Sequence, residues 1–136
     1  MRDIHFRGKR KSDGKWIYGL YSDQRAVDCD FVCIAPFRGI NEYGLDWAVL
    51  PDTVGQYTGF KDKDGRLIYE GDILESQYDE DFPDDFCYEQ VMWEDNGWHI
   101  MQLPDCLPEP MDGECYIYSK VIGNIYDNPE LLEGKK

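Results

Sequence analysis

The chain has 136 residues, a formal net charge of -14, and 42% hydrophobic and 15% aromatic residues. That is a one-domain length, able to bury roughly two-thirds of the surface its unfolded chain would expose, and it is too apolar for a disordered segment. No apolar run approaches the roughly 18 residues that span a bilayer as a helix, MRDIHFRGKRK lacks an apolar signal core, and five cysteines follow no regular spacing, which together point to a cytoplasmic protein with reduced thiols.

Taken from the N-terminus, Asp13-Gly14 separates IHFRGKRKS from KWIYGLY. Such a dipeptide tolerates the positive φ angles of a two-residue type I′ turn, so the segment reads as a β-hairpin with residue i opposite 27 minus i. Lys11 then faces Trp16, Lys9 faces Tyr18 and Arg7 faces Leu20, giving a face that is basic on one strand and aromatic on the other. Residues 1 to 16 hold six basic side chains against two acidic ones, a local charge of 6 minus 2, or +4. Cations interleaved with rings suit single-stranded nucleic acid. They also suit a sheet that covers its rings with long basic stems, or a protein docking surface, and these two readings are preferred to nucleic acid. The opposite face, with Ile4, Phe6, Ile17 and Tyr21, is expected to be the core side.

Cys29 and Cys33 in VDCDFVCIA have one C-x3-C spacing, whereas structural zinc needs two paired ligand sets; buried free thiols and no metal or cofactor are expected. Residues 36 to 55 read as loop with a short strand at WAVL. In VGQYTGFKDKDGRLIYEGDIL, Asp64-Gly65 predicts a second hairpin with Phe60 opposite Tyr69. Gly71 is placed to bend the outgoing strand sharply, as a small β-barrel requires. A phosphate loop would lead into a helix, but both flanks here read as strand. A calcium loop fails for want of its third acidic position and its glycine at the sixth.

Residues 67 to 119 hold fifteen Asp and Glu and no Lys or Arg. Acidic surface keeps a small protein soluble; the sharper reading is that the polarity is used for docking. YDEDFPDDFCYE, with Asp79, Glu80, Asp81, Asp84 and Asp85, reads as an exposed loop or flap, and LPDCLPEPMDGE as another. A two-residue turn at Asn96-Gly97 sets residue i opposite 193 minus i, so Trp93 faces Ile100, Met92 faces Met101 and Glu94 faces His99. The last is the one carboxylate and histidine pair that local geometry assembles. It is preferred as a cross-strand charge pair over an acid-base dyad, and no nucleophile can be set beside it. Asp112-Gly113 is a fourth turn signal. DNPELLEG predicts a short C-terminal helix, with Asn128 as N-cap, Pro129 first in the helix and Gly134 as its stop.

Three separated blocks, RDIHFRGKRKSDGKWIYG, PDTVGQYTGFKDKDGRLIYEGDIL and VIGNIYDNPELLEG, resemble in order and spacing the signature blocks of the YopX family, small proteins of bacteriophages and prophages. The resemblance spans nearly the whole chain, with the variable stretch at about residues 76 to 120. It implies a β-rich fold, a phage or prophage origin inside a bacterial host cell, some tendency to self-assemble, and no family catalytic residues to carry over.

The expected architecture is mainly β and hairpin-rich. It is one domain over residues 1–136, with an N-terminal hairpin lobe over 1–53, a small barrel-like core of residues about 54 to 125 within 54–136, and a short C-terminal helix. The expected function is a non-enzymatic binding and assembly module that self-associates into a homo-oligomer, with its candidate surface formed by Arg7, Lys9, Lys11, Trp16 and Tyr18 against Asp79, Glu80, Asp81, Asp84 and Asp85. The alternatives are an acidic nucleic-acid mimic that occupies a host nucleic-acid-binding protein, and an enzyme of unknown class.

Overall fold

The computed structural model describes residues 4–23, 32–35, 48–77, 81, 86–104, 106–111 and 118–133. Its strands in chain order are β1 (Phe6–Lys9), β2 (Trp16–Asp23), β3 (Val32–Ala35), β4 (Ala48–Val49), β5 (Gly55–Lys61), β6 (Leu67–Tyr69), β7 (Asp72–Ser76), β8 (Cys87–Glu94), β9 (Gly97–Gln102), β10 (Glu109–Pro110) and β11 (Ser119–Asn124). Two 3-10 turns lie at Pro51–Thr53 and Pro129–Glu133. The protein is therefore mainly β, as the turn dipeptides and the β-branched and aromatic runs predict. No helix among the described residues is long and apolar enough to cross a membrane. The chain divides into two units, residues 1–57 and 58–136.

In the first unit β1 pairs antiparallel with β2, β2 with β3, and β3 with β4, while the start of β5 lies on the other side of β1. Just past β1, Arg10 bridges to Val49. Lys11 N donates to Ala48 O and Leu50 N to Lys9 O, both at 2.8 Å, so the sheet curls back toward its own first strand. Val32, Ile34 and Val49 are buried inside the curl, with Phe6, Ile17 and Val54 packed against them. The curl is tight at Gly8, where a Cβ would stand 3.1 Å from the Val49 side chain. Phe6 and Ile17 thus lie on the core side as expected, and Tyr21, opposite the buried Ile34, shares that face although it is 38% exposed, whereas Ile4 is left 51% exposed. Ile4 precedes the first paired residue of β1. Tyr21 extends beyond the paired residues of β1, with its ring centroid 5.5 Å from that of Phe6.

The second unit holds the end of β5, β6, and an antiparallel sheet in the order β10-β9-β8-β7-β11. Ile68, Leu74, Val91, Ile100 and Val121 form its core, with Phe60 and Met111 against them. Among the described strands, β10 pairs with β9 alone and β11 with β7 alone. Among the described strands the sheet is open, and the closed barrel expected over residues 54 to 125 is not found. Gly71 does turn the chain, at φ 88, but the turn divides one expected bent strand into two, β6 and β7, so it cannot curve a single strand around a barrel. The C-terminal helix is likewise only a 3-10 turn, closed by Leu131 N to Asn128 O at 3.0 Å. The Asn128 side chain turns away from N-capping and accepts from Asn124 N at 3.2 Å.

Buried polar side chains hold the turns. Asp62, 4% exposed, accepts from Asp64 N and Arg66 N through Oδ1 and from Val121 N through Oδ2, all at 2.9 Å. The loop after β5 is therefore closed by Asp62 N to Arg66 O, with Gly65 at φ 83, a three-residue loop of the type whose last residue takes the left-handed conformation. Counted from that closing pair, Phe60 falls opposite Ile68 and not Tyr69. Asp72 accepts from Tyr69 N at 2.8 Å across the Gly71 turn. Asn124 Oδ1 accepts from Tyr126 N and Asp127 N at 3.0 and 2.8 Å, and a Cβ at Gly123 would lie 2.8 Å from Asn128 Cγ. These residues belong to the sequence blocks quoted above, and each has a structural task.

Candidate interaction surface

The first hairpin keeps its expected faces but not its expected partners. Arg7 lies opposite Tyr18 and Lys9 opposite Trp16, so residue i faces 25 minus i, a slip of two. The cause is the turn. Arg10 N donates to Lys15 O at 2.9 Å and Gly14 N to Arg10 O at 2.8 Å, which makes a four-residue loop of 11–14. Arg10 grips Asp13 through Nε at 3.0 Å and Nη2 at 2.5 Å, and Lys15 N donates to Asp13 Oδ1 at 3.0 Å. The Arg10 side chain first, and then the Lys15 backbone N–H, hold the Asp13 carboxyl down at about 2 from its ordinary 3.8. Lys11, expected opposite Trp16, sits in the turn instead.

A slip of two preserves side-chain facing because the strand period is two. Arg7, Lys9, Trp16 and Tyr18 accordingly share the face away from the Val32 and Ile34 core. Arg7 is nonetheless only 3% exposed, its guanidinium 4.6 Å from the Trp16 ring centroid, with the Lys9 ammonium at 5.6 Å. Arg7 therefore stacks and is covered, and is not displayed as a phosphate contact. What this face does present is Tyr18 and Leu20, 46% and 53% exposed, with Lys11 and Lys15 exposed at the turn. Leu20, absent from the expected surface, was detectable from the same alternation, two residues beyond Tyr18.

Of the acidic candidates, Asp81 is exposed; Asp79, Glu80, Asp84 and Asp85 lie outside the described residues, as do Cys29 and the Asp112-Gly113 turn. Glu94 and Asp95 are further exposed acids of the same stretch, at the β8–β9 hairpin. Its turn is Asp95-Asn96, at φ 48 and 62, one position earlier than expected, because Asp and Asn themselves tolerate the left-handed region. The register runs Val91↔Ile100, Met92↔His99, Trp93↔Trp98, Glu94↔Gly97. Glu94 and His99 do not face each other, and no acid-base pair forms there; His99 Nδ1 lies 3.0 Å from Gly97 O.

The structure assembles one polar cluster that local sequence could not suggest. Ser76 donates to Glu89 Oε1 at 2.5 Å and its Oγ lies 2.8 Å from Ser119 Oγ, with Cys87 Sγ 3.7 Å from Ser76 O. Ser76, Glu89 and Ser119 are 1%, 6% and 0% exposed. The cluster crosses β8, β7 and β11 inside the unit, where buried hydrogen bonds fix strand pairing. Among the described residues no three His, Cys, Asp or Glu side chains gather as metal ligands.

A family model described as YopX protein matches residues 5–133. The fold is similar to that in the crystal structure of protein EF1440 from Enterococcus faecalis, with a TM-score of 0.60 and 21% sequence identity over 98% of this chain and 100% of that one. No curated protein matches.

Proposed function

Because this chain belongs to the YopX protein family, whose resembling blocks here supply turns, core and buried hydrogen bonds, we propose that it is a phage- or prophage-encoded, non-catalytic binding module of the bacterial cytoplasm that self-associates through the first hairpin. The observation that carries this reading is the separation of charge. Lys11 and Lys15 are exposed at a turn beside the exposed Tyr18 and Leu20 of β2, whereas residues 67 to 119 hold fifteen acids and no Lys or Arg. A contact between two different patches repeats head to tail and closes into a ring when the rotation permits. The covered position of Arg7 weighs against nucleic acid as the hairpin's ligand.

Sizing of the full chain tests the reading. Between 10 mM and 1 M salt the Debye length falls from about 30 Å to about 3 Å. The expected result is an assembly at low salt that dissociates toward the monomer at high salt, and that is lost at low salt in Lys11→Glu/Lys15→Glu. A monomer at every salt concentration overturns it.

A further inference from the structure

The self-association reading leaves open where the hairpin lysines land. We infer that the tip of the β8–β9 hairpin is a seat for a lysine ammonium, supplied by the Lys11–Lys15 turn of a second copy of this chain; this inference rests on that reading.

Trp93 is the last inward-facing residue of β8. Val91, two residues before it, is 1% exposed, yet Trp93 is 48% exposed. Its ring is held edge-on to that of Trp98, the directly opposite residue, at 4.8 Å and 76°. The two-residue Asp95-Asn96 turn ties the strands together immediately beyond, so the exposed ring has a fixed backbone behind it. Carboxylates stand at the same end of the hairpin. Glu94 and Asp95 follow it directly and are exposed. Glu109 of β10 pairs with Ile100 and so stands on the same sheet face as Trp98. Among the described residues, none of these three carboxylates is engaged in an ion pair. A half-exposed indole with unneutralised carboxylates at the same hairpin end attracts a cation by ring quadrupole and by charge together.

The chain already makes this kind of contact internally, with Arg7 and Lys9 on Trp16 at 4.6 and 5.6 Å. The partner follows from what the first hairpin has available. Arg10 is occupied by Asp13 and Arg7 is covered, which leaves Lys11 and Lys15 at the turn. An ammonium on a flexible stem, presented at the end of one hairpin, fits a ring and carboxylates presented at the end of another.

The test uses the full chain at 10 mM salt, with Trp93→Ala and, as a change confined to exposed side chains, Glu94→Lys/Asp95→Lys. Each is expected to weaken self-association about tenfold or more, and mixing Glu94→Lys/Asp95→Lys with Lys11→Glu/Lys15→Glu should restore assembly between the two variants. Trilysine peptide, followed by the indole N–H resonances, is expected to shift Trp93 and Trp98 in the wild type and not in Glu94→Gln/Asp95→Asn. If Lys11→Glu/Lys15→Glu abolishes assembly while Trp93→Ala and Glu94→Lys/Asp95→Lys leave it unchanged, the seat is overturned and the self-association reading stands. A wild-type chain that is monomeric at every salt concentration overturns both.

Discussion

Replacing Asp62 by alanine removes one acceptor group that serves three backbone donors at 2.9 Å. The Val121 N–H is buried within the unit, and leaving it unsatisfied costs about 1–3 kcal/mol. The two turn hydrogen bonds, from Asp64 N and Arg66 N, contribute about 0.5–1.5 kcal/mol each, so the whole loss is about 2–6 kcal/mol. Small domains have about 5–15 kcal/mol in total, so this one carboxylate carries a large share. With a urea dependence of about 2 kcal/mol per molar, a mid-range loss of about 4 kcal/mol lowers the unfolding midpoint by about 2 M. The assay is urea unfolding followed by far-UV circular dichroism, with amide exchange at Val121 as a local readout. Asp62→Asn, which keeps one carbonyl oxygen, should fall between wild type and Asp62→Ala. Asp64→Ala, two residues away and exposed, should leave the midpoint where it is. Equal midpoints for Asp62→Ala and Asp64→Ala, or unchanged protection at Val121, would refute the role given to Asp62.

Two further outcomes follow from the turns. Gly71→Ala should cost about 1–2 kcal/mol for its positive φ and more for the new Cβ, which would stand 3.1 Å from Tyr126 Cε2, whereas Gly14→Ala, at φ 72 in open space, should show the conformational cost alone; unfolding midpoints compare them directly. Asp13 has its pKa lowered to about 2 from 3.8, so its support of the first turn is fully present above about pH 3.8 and is lost as pH falls through about 2. A carboxyl-carbon NMR titration should place the Asp13 midpoint near 2, and Arg10→Gln should raise it toward the ordinary value.

The candidate surface was legible in part. Alternation alone put Arg7, Lys9, Trp16 and Tyr18 on one face and Phe6 and Ile17 on the other, and the structure keeps this arrangement because the register of the first hairpin slipped by two, an even number. Cross-strand partners did not survive the slip. The Glu94 and His99 pair dissolved when Asp95-Asn96, and not Asn96-Gly97, made the turn. Lys11 left its place beside Trp16 when the Arg10 and Asp13 pair lengthened the first loop. Each turn was decided by side-chain hydrogen bonds and left-handed backbone positions that several adjacent dipeptides could supply.

The sequence by itself determined the β class, the family, the division of charge and the facing of the strands. The family rests on the resemblance of three separated blocks; the rest follows from composition, dipeptide preference and a period of two, all of which are local. Only the tertiary structure decided that Asp62, Asp72 and Glu89 are buried acceptors inside an acidic chain, that Arg7 is a covered partner of Trp16, and that the second sheet stays open among the described strands. Burial and acceptor geometry arise where distant segments meet, as Val121 meets Asp62 and Ser119 meets Ser76, and no local pattern along the chain encodes those meetings.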